Sequence, residues 1–397
     1  MPKGGTKLSK LTSKGPEAFL RLLSVSTFVI GLGISSGLYF IPIWAEILGA
    51  SYLEIGMLGF MRALPYAFLP ALIGYFLVGV NNARLYLISP TIATIFYALL
   101  SLIKGVPEII LAQLLMGLAF VFYWPVGETM VASSSTPRNR VRAFALYSVS
   151  WNAGFLLGPS IGGYVAEKFG IHAAFWLSSA ISAAAIPMVL LLREPAVLEK
   201  KVSDEKKGGV DFSALRLAPF YSMLAIQSMV YATLLVIFPN YAWRLGISEF
   251  YIGTIFTVFS LARLLSFLAI GKVLRSQPRF AFTLASVLFA IPMLLIAFLP
   301  SLEVFYVAVA TYAATLSYFT SMLFNAITHS APVEKYGFVV GVYEGIFGLG
   351  FAFGPLLAGY VSEAVGLRES FILQAVMASA MAVMAFASGV ERRDSTG

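Results

Sequence analysis

Cysteine is absent from the 397-residue chain, which excludes disulfide frameworks, thiolate metal sites and cysteine nucleophiles. Histidine is nearly absent: His172 and His329 stand far apart, so a zinc site has no ligand cluster to draw on. Charge is the third shortage. Asp, Glu, Lys and Arg make up 12% of the residues, against roughly 25% in a soluble domain. Too few polar side chains remain to coat a water-facing surface, so an ordinary soluble enzyme, a disordered chain and a nucleic-acid-binding domain are all excluded. No G-x-x-x-x-G-K-[ST] loop occurs, so the chain does not itself pump with ATP. No nucleophile–base pair stands out, and neither enzymatic chemistry nor a cofactor is expected.

What the chain has in quantity is apolar sequence. Hydrophobic residues reach 59% and mean hydropathy is +0.85. A helix crosses the hydrocarbon in about 20 residues. Apolar runs of that size lie at 18–45, 52–78, 85–104, 108–133, 141–166 and 172–192, then at 217–241, 250–273, 280–299, 303–329, 338–362 and 369–390. The predicted architecture is therefore an all-α membrane protein with twelve spans. A tail at 1–16 precedes a six-helix bundle at 17–193, a linker at 194–216, a second bundle at 217–390 and a tail at 391–397. Residues 1–16 lack the apolar core and cleavage site of a signal peptide, and none is expected.

The net charge of +8 is organised by position. Tails and even-numbered connections carry twenty Lys and Arg, from Lys3 to Arg393; the odd-numbered connections carry four, Lys104, Lys168, Arg244 and Arg368. Basic residues accumulate on the cytoplasmic side. The expectation is a multi-pass protein of the plasma membrane, both termini cytoplasmic, with the bilayer and not nucleic acid as its partner.

The chain repeats itself. Shifted by 196, Tyr147–Leu177 falls on Tyr343–Leu373 with twelve identities in 31 pairs. A shift of 197 superposes Ser51, Ile55, Gly56, Ile73 and Gly74 on Ser248, Ile252, Gly253, Ile270 and Gly271. Six spans is an even number, so both halves insert in the same sense and form a parallel repeat about a pseudo-twofold axis. Such halves leave a seam at mid-membrane where a solute could bind.

Polar side chains at helical spacing pick out the helices that could line that seam. On the tenth span Thr311, Thr315, Tyr318, Met322, Asn325 and His329 keep to one sector. The fourth offers Gln113, Gly117, Trp124 and Glu128, the first Ser24, Thr27, Gly31 and Ser35, and the seventh Gln227, Tyr231 and Phe238. The candidate substrate-binding residues are Thr27, Ser35, Gln113, Trp124, Glu128, Gln227, Tyr231, Thr315, Tyr318 and Asn325. The alternative is that the hydroxyls bond their own helix backbone. Four ionisable residues lie within the spans: Arg62, Glu128, Arg263 and Glu344. Each needs a partner or a wet cavity, and they are the candidate coupling or gating charges.

One motif carries a resemblance. Gly154–Gly163 reads G-x-x-x-G-P-x-x-G-G and Gly350–Gly359 reads G-x-x-x-G-P-x-x-A-G. These segments resemble the antiporter motif of the major facilitator superfamily, in its twelve-helix drug/proton antiporter-like members. The resemblance implies alternating access, with spans one, four, seven and ten around the cavity and spans two, five, eight and eleven between the halves. The motif residues Gly154, Gly158, Pro159, Gly162, Gly163, Gly350, Gly354, Pro355 and Gly359 would form that interface. The chain departs from the pattern after span two, where Val78 replaces the acid, and in span four, where Gln113 replaces an arginine. The expected function is a secondary transporter, proton-linked and exporting small hydrophobic or cationic molecules, acting as a monomer. Two alternatives stay open: an importer of an organic anion or metabolite, with Arg62 and Arg263 as counter-charges, and a non-transporting receptor or partner protein of the same fold.

Overall fold

Helices supply all the regular structure of the computed structural model, which describes residues 15–76, 81–136, 139–193, 213–273, 278–329 and 336–387. In order they are α1 (Pro16–Leu38), α2 (Ile41–Ile47), α3 (Tyr52–Phe76), α4 (Asn82–Leu100), α5 (Val106–Ser134), α6 (Arg140–Phe169), α7 (Ile171–Leu190), α8 (Ser213–Arg244), α9 (Glu249–Val273), α10 (Pro278–Phe298), α11 (Leu302–His329), α12 (Tyr336–Ala364) and α13 (Leu367–Ala387). The first predicted span is two helices, because the chain turns at Tyr39–Phe40 before α2 resumes. Counting that pair once gives the twelve expected spans. Nine candidate spans among the described residues are long and apolar enough to cross a membrane. The expected tails, most of the linker, Val78 and the His329 side chain lie outside the described residues.

The duplication is visible in the turns. Positive φ among the described residues falls on four glycines, Gly49 (93°), Gly170 (88°), Gly246 (83°) and Gly366 (130°). They pair across the repeat, Gly49 with Gly246 and Gly170 with Gly366. After α2, Ala50 N–H donates to Ala45 C=O (2.9 Å); after α8, Ile247 N–H donates to Ala242 C=O (3.2 Å). This is the glycine-terminated end that a left-handed residue permits and a Cβ opposes.

Helix packing repeats as well. α1 packs on α6, α7 and α5; α4 packs on α5 and α7; α6 packs on α5 and α7. Replacing α1, α4, α5, α6 and α7 by α8, α10, α11, α12 and α13 reproduces these pairs, to which the first half adds a lighter contact of α1 with α4. Away from helix ends and interior prolines, backbone polar groups are satisfied within each helix, and side chains tie the helices together. Thr27 Oγ1 pairs with Tyr86 OH at 2.8 Å, Tyr123 OH donates to Thr27 C=O at 2.8 Å, and Tyr147 OH donates to Tyr123 C=O at 3.1 Å. That network joins α1, α4, α5 and α6.

Two compact units emerge from the contacts. One takes in the chain up to Ile41, Phe68–Ser203 and Ser248–Thr257; the other takes in Pro42–Ala67, Asp204–Ile247 and Val258 onward. The division follows the sequence halves except in two places: Pro42–Ala67, which holds most of α2 and the larger part of α3, and Ser248–Thr257, the start of α9, each cluster with the opposite half.

Candidate functional site

Within the second unit, a pocket of about 490 Å³ is lined by Thr320, Ser321, Phe324 and Asn325 of α11 and by Tyr343 and Glu344 of α12. Residues four apart share a helix face, which puts Thr320 with Phe324 and Ser321 with Asn325. The Phe324 and Tyr343 rings meet edge to face, centroids 5.4 Å apart. Gln227 Nε2 donates to Thr320 Oγ1, tying α8 to the pocket wall, while Ser321 Oγ donates to Ser317 C=O at 2.9 Å. Asn325 and Glu344 are exposed and Tyr343 is buried. A carboxylate beside two aromatic rings and an amide suits an organic cation carrying hydrogen-bonding groups.

Deeper in the same unit, Arg263 of α9 donates from Nη1 to Tyr231 OH at 3.0 Å. Its guanidinium lies 5.5 Å from the Tyr231 ring centroid and 5.7 Å from that of Phe267. Tyr231 in turn stacks on Phe259 at 5.8 Å and meets Phe351 edge on at 5.6 Å. Arg263 is thus held by aromatic faces. Arg62, on α3, is buried, with 5% of its surface exposed.

The first unit holds an aromatic cluster around Trp124 of α5. Its ring lies 4.8 Å from Phe120, 5.3 Å from Tyr123 and 6.1 Å from both Trp151 and Phe155 of α6. Glu128 is one turn beyond Trp124, exposed, with no hydrogen bond or ion pair among the described residues.

The other sequence candidates divide clearly. Thr27, Ser35, Gln113, Gln227 and Thr315 are all buried. Ser35 Oγ donates to Gly154 C=O (3.1 Å), Thr315 Oγ1 to Thr311 C=O (2.8 Å) and Gln113 Nε2 to Ile109 C=O (3.5 Å). The three hydroxyls and the Gln113 amide nitrogen thus bond helix backbone or a neighbouring side chain, whereas the amide oxygens of Gln113 and Gln227 are buried without a partner among the described residues. Trp124, Tyr231 and Tyr318 are half-buried. Of the predicted binding residues and charges, Asn325 and Glu344 are brought together in the pocket, and Tyr231 and Arg263 by their hydrogen bond. Thr320, Ser321, Phe324 and Tyr343 were not predicted; Tyr343 was visible only as an identity of the repeat, and Thr320 and Ser321 lie off the polar stripe.

The glycine-proline motif has two faces. A Cβ on Gly154 would lie 2.6 Å from Phe28 O, on Gly158 2.9 Å from Leu32 O, and on Gly162 1.7 Å from Ser36 O, all on α1. On the other face, a Cβ on Gly253 of α9 would lie 2.1 Å from Pro159 O, and one on Gly163 2.4 Å from Glu249 O. The second copy repeats this: Gly350 and Gly354 abut Ala225 and Met229 of α8, while Gly56 of α3 meets Pro355 O and Gly359 meets Tyr52 O. Each motif thus seats its own half's first helix on one side and a helix of the opposite half on the other.

Comparison with known proteins agrees with this architecture. The chain is 26% identical over 389 residues to the multidrug efflux pump Tap of Mycolicibacterium fortuitum, covering 91% of this chain and 92% of that one. It is 24% identical over 373 residues to multidrug resistance protein 2 of Bacillus subtilis strain 168, covering 90% and 91%. Among solved structures, a mutant of the nucleoside transporter NupG superposes with a TM-score of 0.80 at 15% identity, over 93% of this chain and 99% of that one. The family model of the Major Facilitator Superfamily matches residues 23–274 and 220–396. With its duplicated six-helix pattern and paired glycine-proline helices, the chain belongs to the Major Facilitator Superfamily of membrane transporters.

Proposed function

We propose that this transporter exports small aromatic or hydrophobic cations across the plasma membrane by alternating access, in exchange for protons, as a monomer with both termini in the cytoplasm. The observation that carries the reading is the pocket where Glu344 and Asn325 stand beside Phe324 and Tyr343. Its volume is of the size that takes a drug-like molecule. A carboxylate facing a partly desolvated pocket attracts a cation, and the same oxygen can take a proton when the cation leaves. Glu128, beside the Trp124 cluster, offers a second carboxylate of the same kind. The skew of basic residues toward the even-numbered connections supports the orientation. Two relatives named as multidrug proteins support the direction and the substrate class.

The test is transport of a fluorescent aromatic cation by proteoliposomes under an imposed pH gradient. The wild-type protein should move the dye against its gradient, and Glu344→Gln should lower apparent affinity roughly tenfold, the scale of one partly shielded charge contact. Should the dye stay put while an organic anion moves, and Arg263→Gln abolish that movement, the importer reading replaces this one.

A further inference from the structure

The last glycine of each motif is followed, four residues later, by an acid. Gly163-Tyr164-Val165-Ala166-Glu167 ends α6 and Gly359-Tyr360-Val361-Ser362-Glu363 ends α12. Four apart, glycine and carboxylate share a helix face. The glycine lets the first turn of another helix lie against the backbone, as the Gly163 contact with Glu249 and the Gly359 contact with Tyr52 show. The acid then reaches the same turn. Ser248, the residue before α9, donates its hydroxyl to Glu167 Oε2, and Phe250 N–H bonds that carboxylate too. In the other copy, Tyr52 N–H, the first of α3, donates to Glu363 Oε2 at 2.8 Å. A carboxylate at a helix N-terminus satisfies unpaired N–H groups and meets the positive end of the helix dipole.

These are not caps within a local stretch of chain. Glu167 lies in the first half and holds a helix of the second; Glu363 lies in the second half and holds a helix of the first. α3 also carries its own capping box, with Ser51 N–H donating to Glu54 Oε2 (2.8 Å) and Glu54 N–H to Ser51 Oγ (3.3 Å). The Glu363 bond is thus additional to what that helix needs to start. The Ser248 hydroxyl, then Lys168 and the Phe250 amide, hold the exposed Glu167 carboxyl below the usual carboxylate range, so it is ionised at neutral pH. Both acids sit at odd-numbered connections, away from the basic loops.

We propose that Glu167 and Glu363 are a pair of latches, each holding the first turn of a helix from the other repeat, so that the odd-connection end of the transporter opens only when both bonds break. The proposal rests on the alternating-access reading but not on the identity of the solute. Opening this end separates α9 from α6 and α3 from α12, and each carboxylate is a contact there that a side-chain substitution can remove without disturbing the buried glycine seams, as the Thr257 hydroxyl is further along the α6–α9 seam.

The native chain has no cysteine, so Thr257→Cys gives a single reporter. Thr257 Oγ1 donates to Leu156 C=O at 2.7 Å and pairs with Ser160 Oγ at 2.7 Å within the α6–α9 seam, so a half-buried thiol there should react faster with a maleimide when the seam parts. In detergent, without substrate, Glu167→Ala should raise the labelling rate about fivefold, the scale of losing one helix cap. Glu363→Ala contacts neither Thr257 nor α6, yet should raise the same rate, and the double variant should exceed both. Both acids are exposed, so alanine leaves the fold intact. An unchanged rate in the Glu363→Ala protein overturns the proposal, as does an equal rise for Glu108→Ala, at an exposed acid outside these seams. Failure of every cation in the transport assay would leave the labelling result standing, so the two readings fail separately.

Discussion

Gly162→Leu should leave no folded transporter in the membrane, and Gly162→Ala should lower the thermal unfolding midpoint by several degrees, whereas Gly345→Ala should leave it unchanged or raised. Gly162 faces α1 so closely that an added Cβ would lie 1.7 Å from Ser36 O and 2.6 Å from its carbonyl carbon. Those atoms are backbone, held in α1, and no rotamer change can move them. Alanine therefore pushes α6 off α1, with an overpacking cost of about 1–3 kcal/mol. Leucine adds three further carbons in the same direction, and the seam shared with Gly154 and Gly158 would have to open along its length. Gly345 is also within a helix, α12, but nothing lies within 4 Å of its would-be Cβ. There alanine gains up to about 1 kcal/mol of helix propensity. Size-exclusion profiles of fluorescently tagged protein and thermal unfolding in detergent distinguish these outcomes. If Gly162→Leu elutes and melts like wild type, the close seam is not a feature of the folded protein.

That contrast shows what the sequence made legible. Close helix approach and left-handed turns are demands on single residues, and only glycine meets them, so Gly158, Gly162, Gly170 and Gly366 announce their places without knowledge of the rest of the chain. Span ends were legible for the same local reason, since the apolar runs stop where Gly, Asn or charge begins. The repeat was legible because both copies face the same demands.

The pocket was less so. A stripe such as Thr311, Thr315 and Tyr318 reports that residues share a helix face, but not what that face meets. In the structure Thr315 bonds back to Thr311 C=O, and Thr27 and Ser35 bond across to Tyr86 and Gly154. A buried hydroxyl needs a partner whether or not a solute ever passes, so polarity alone marks packing and binding alike. Asn325 and Glu344 emerged because an amide and a carboxylate are too polar for lipid. Thr320 and Ser321 did not, being small and off the stripe. The exchange of most of α2 and of α3 and the start of α9 between units was also hidden, because a helix's own period carries no record of which neighbour it leans on.

The ion pair at Glu46 was hidden for another reason: it has no counterpart in the repeat. Arg244 Nε donates to Glu46 Oε1, Asn240 Nδ2 donates to Oε2, and the guanidinium lies 4.8 Å from the Tyr52 ring centroid. Glu46 retains 9% of its side-chain exposure and Arg244 48%. The carboxylate is thus nearly enclosed, while its partner is half in solvent. Removing the arginine strands an anion that only one amide still serves, so Arg244→Leu should destabilise by about 2–3 kcal/mol, below the cost for a fully buried pair because water can approach from the arginine side. Glu46→Gln should cost less, since the amide still accepts from Asn240 and Arg244 keeps its solvent and its ring. Combining the two should restore most of the loss, because the stranded charge, not the missing contact, is what Arg244→Leu makes expensive. A double-mutant cycle on unfolding midpoints reads this as a coupling of about 1–2 kcal/mol. Simple additivity of the two variants would mean that the pair is a surface contact without energetic weight.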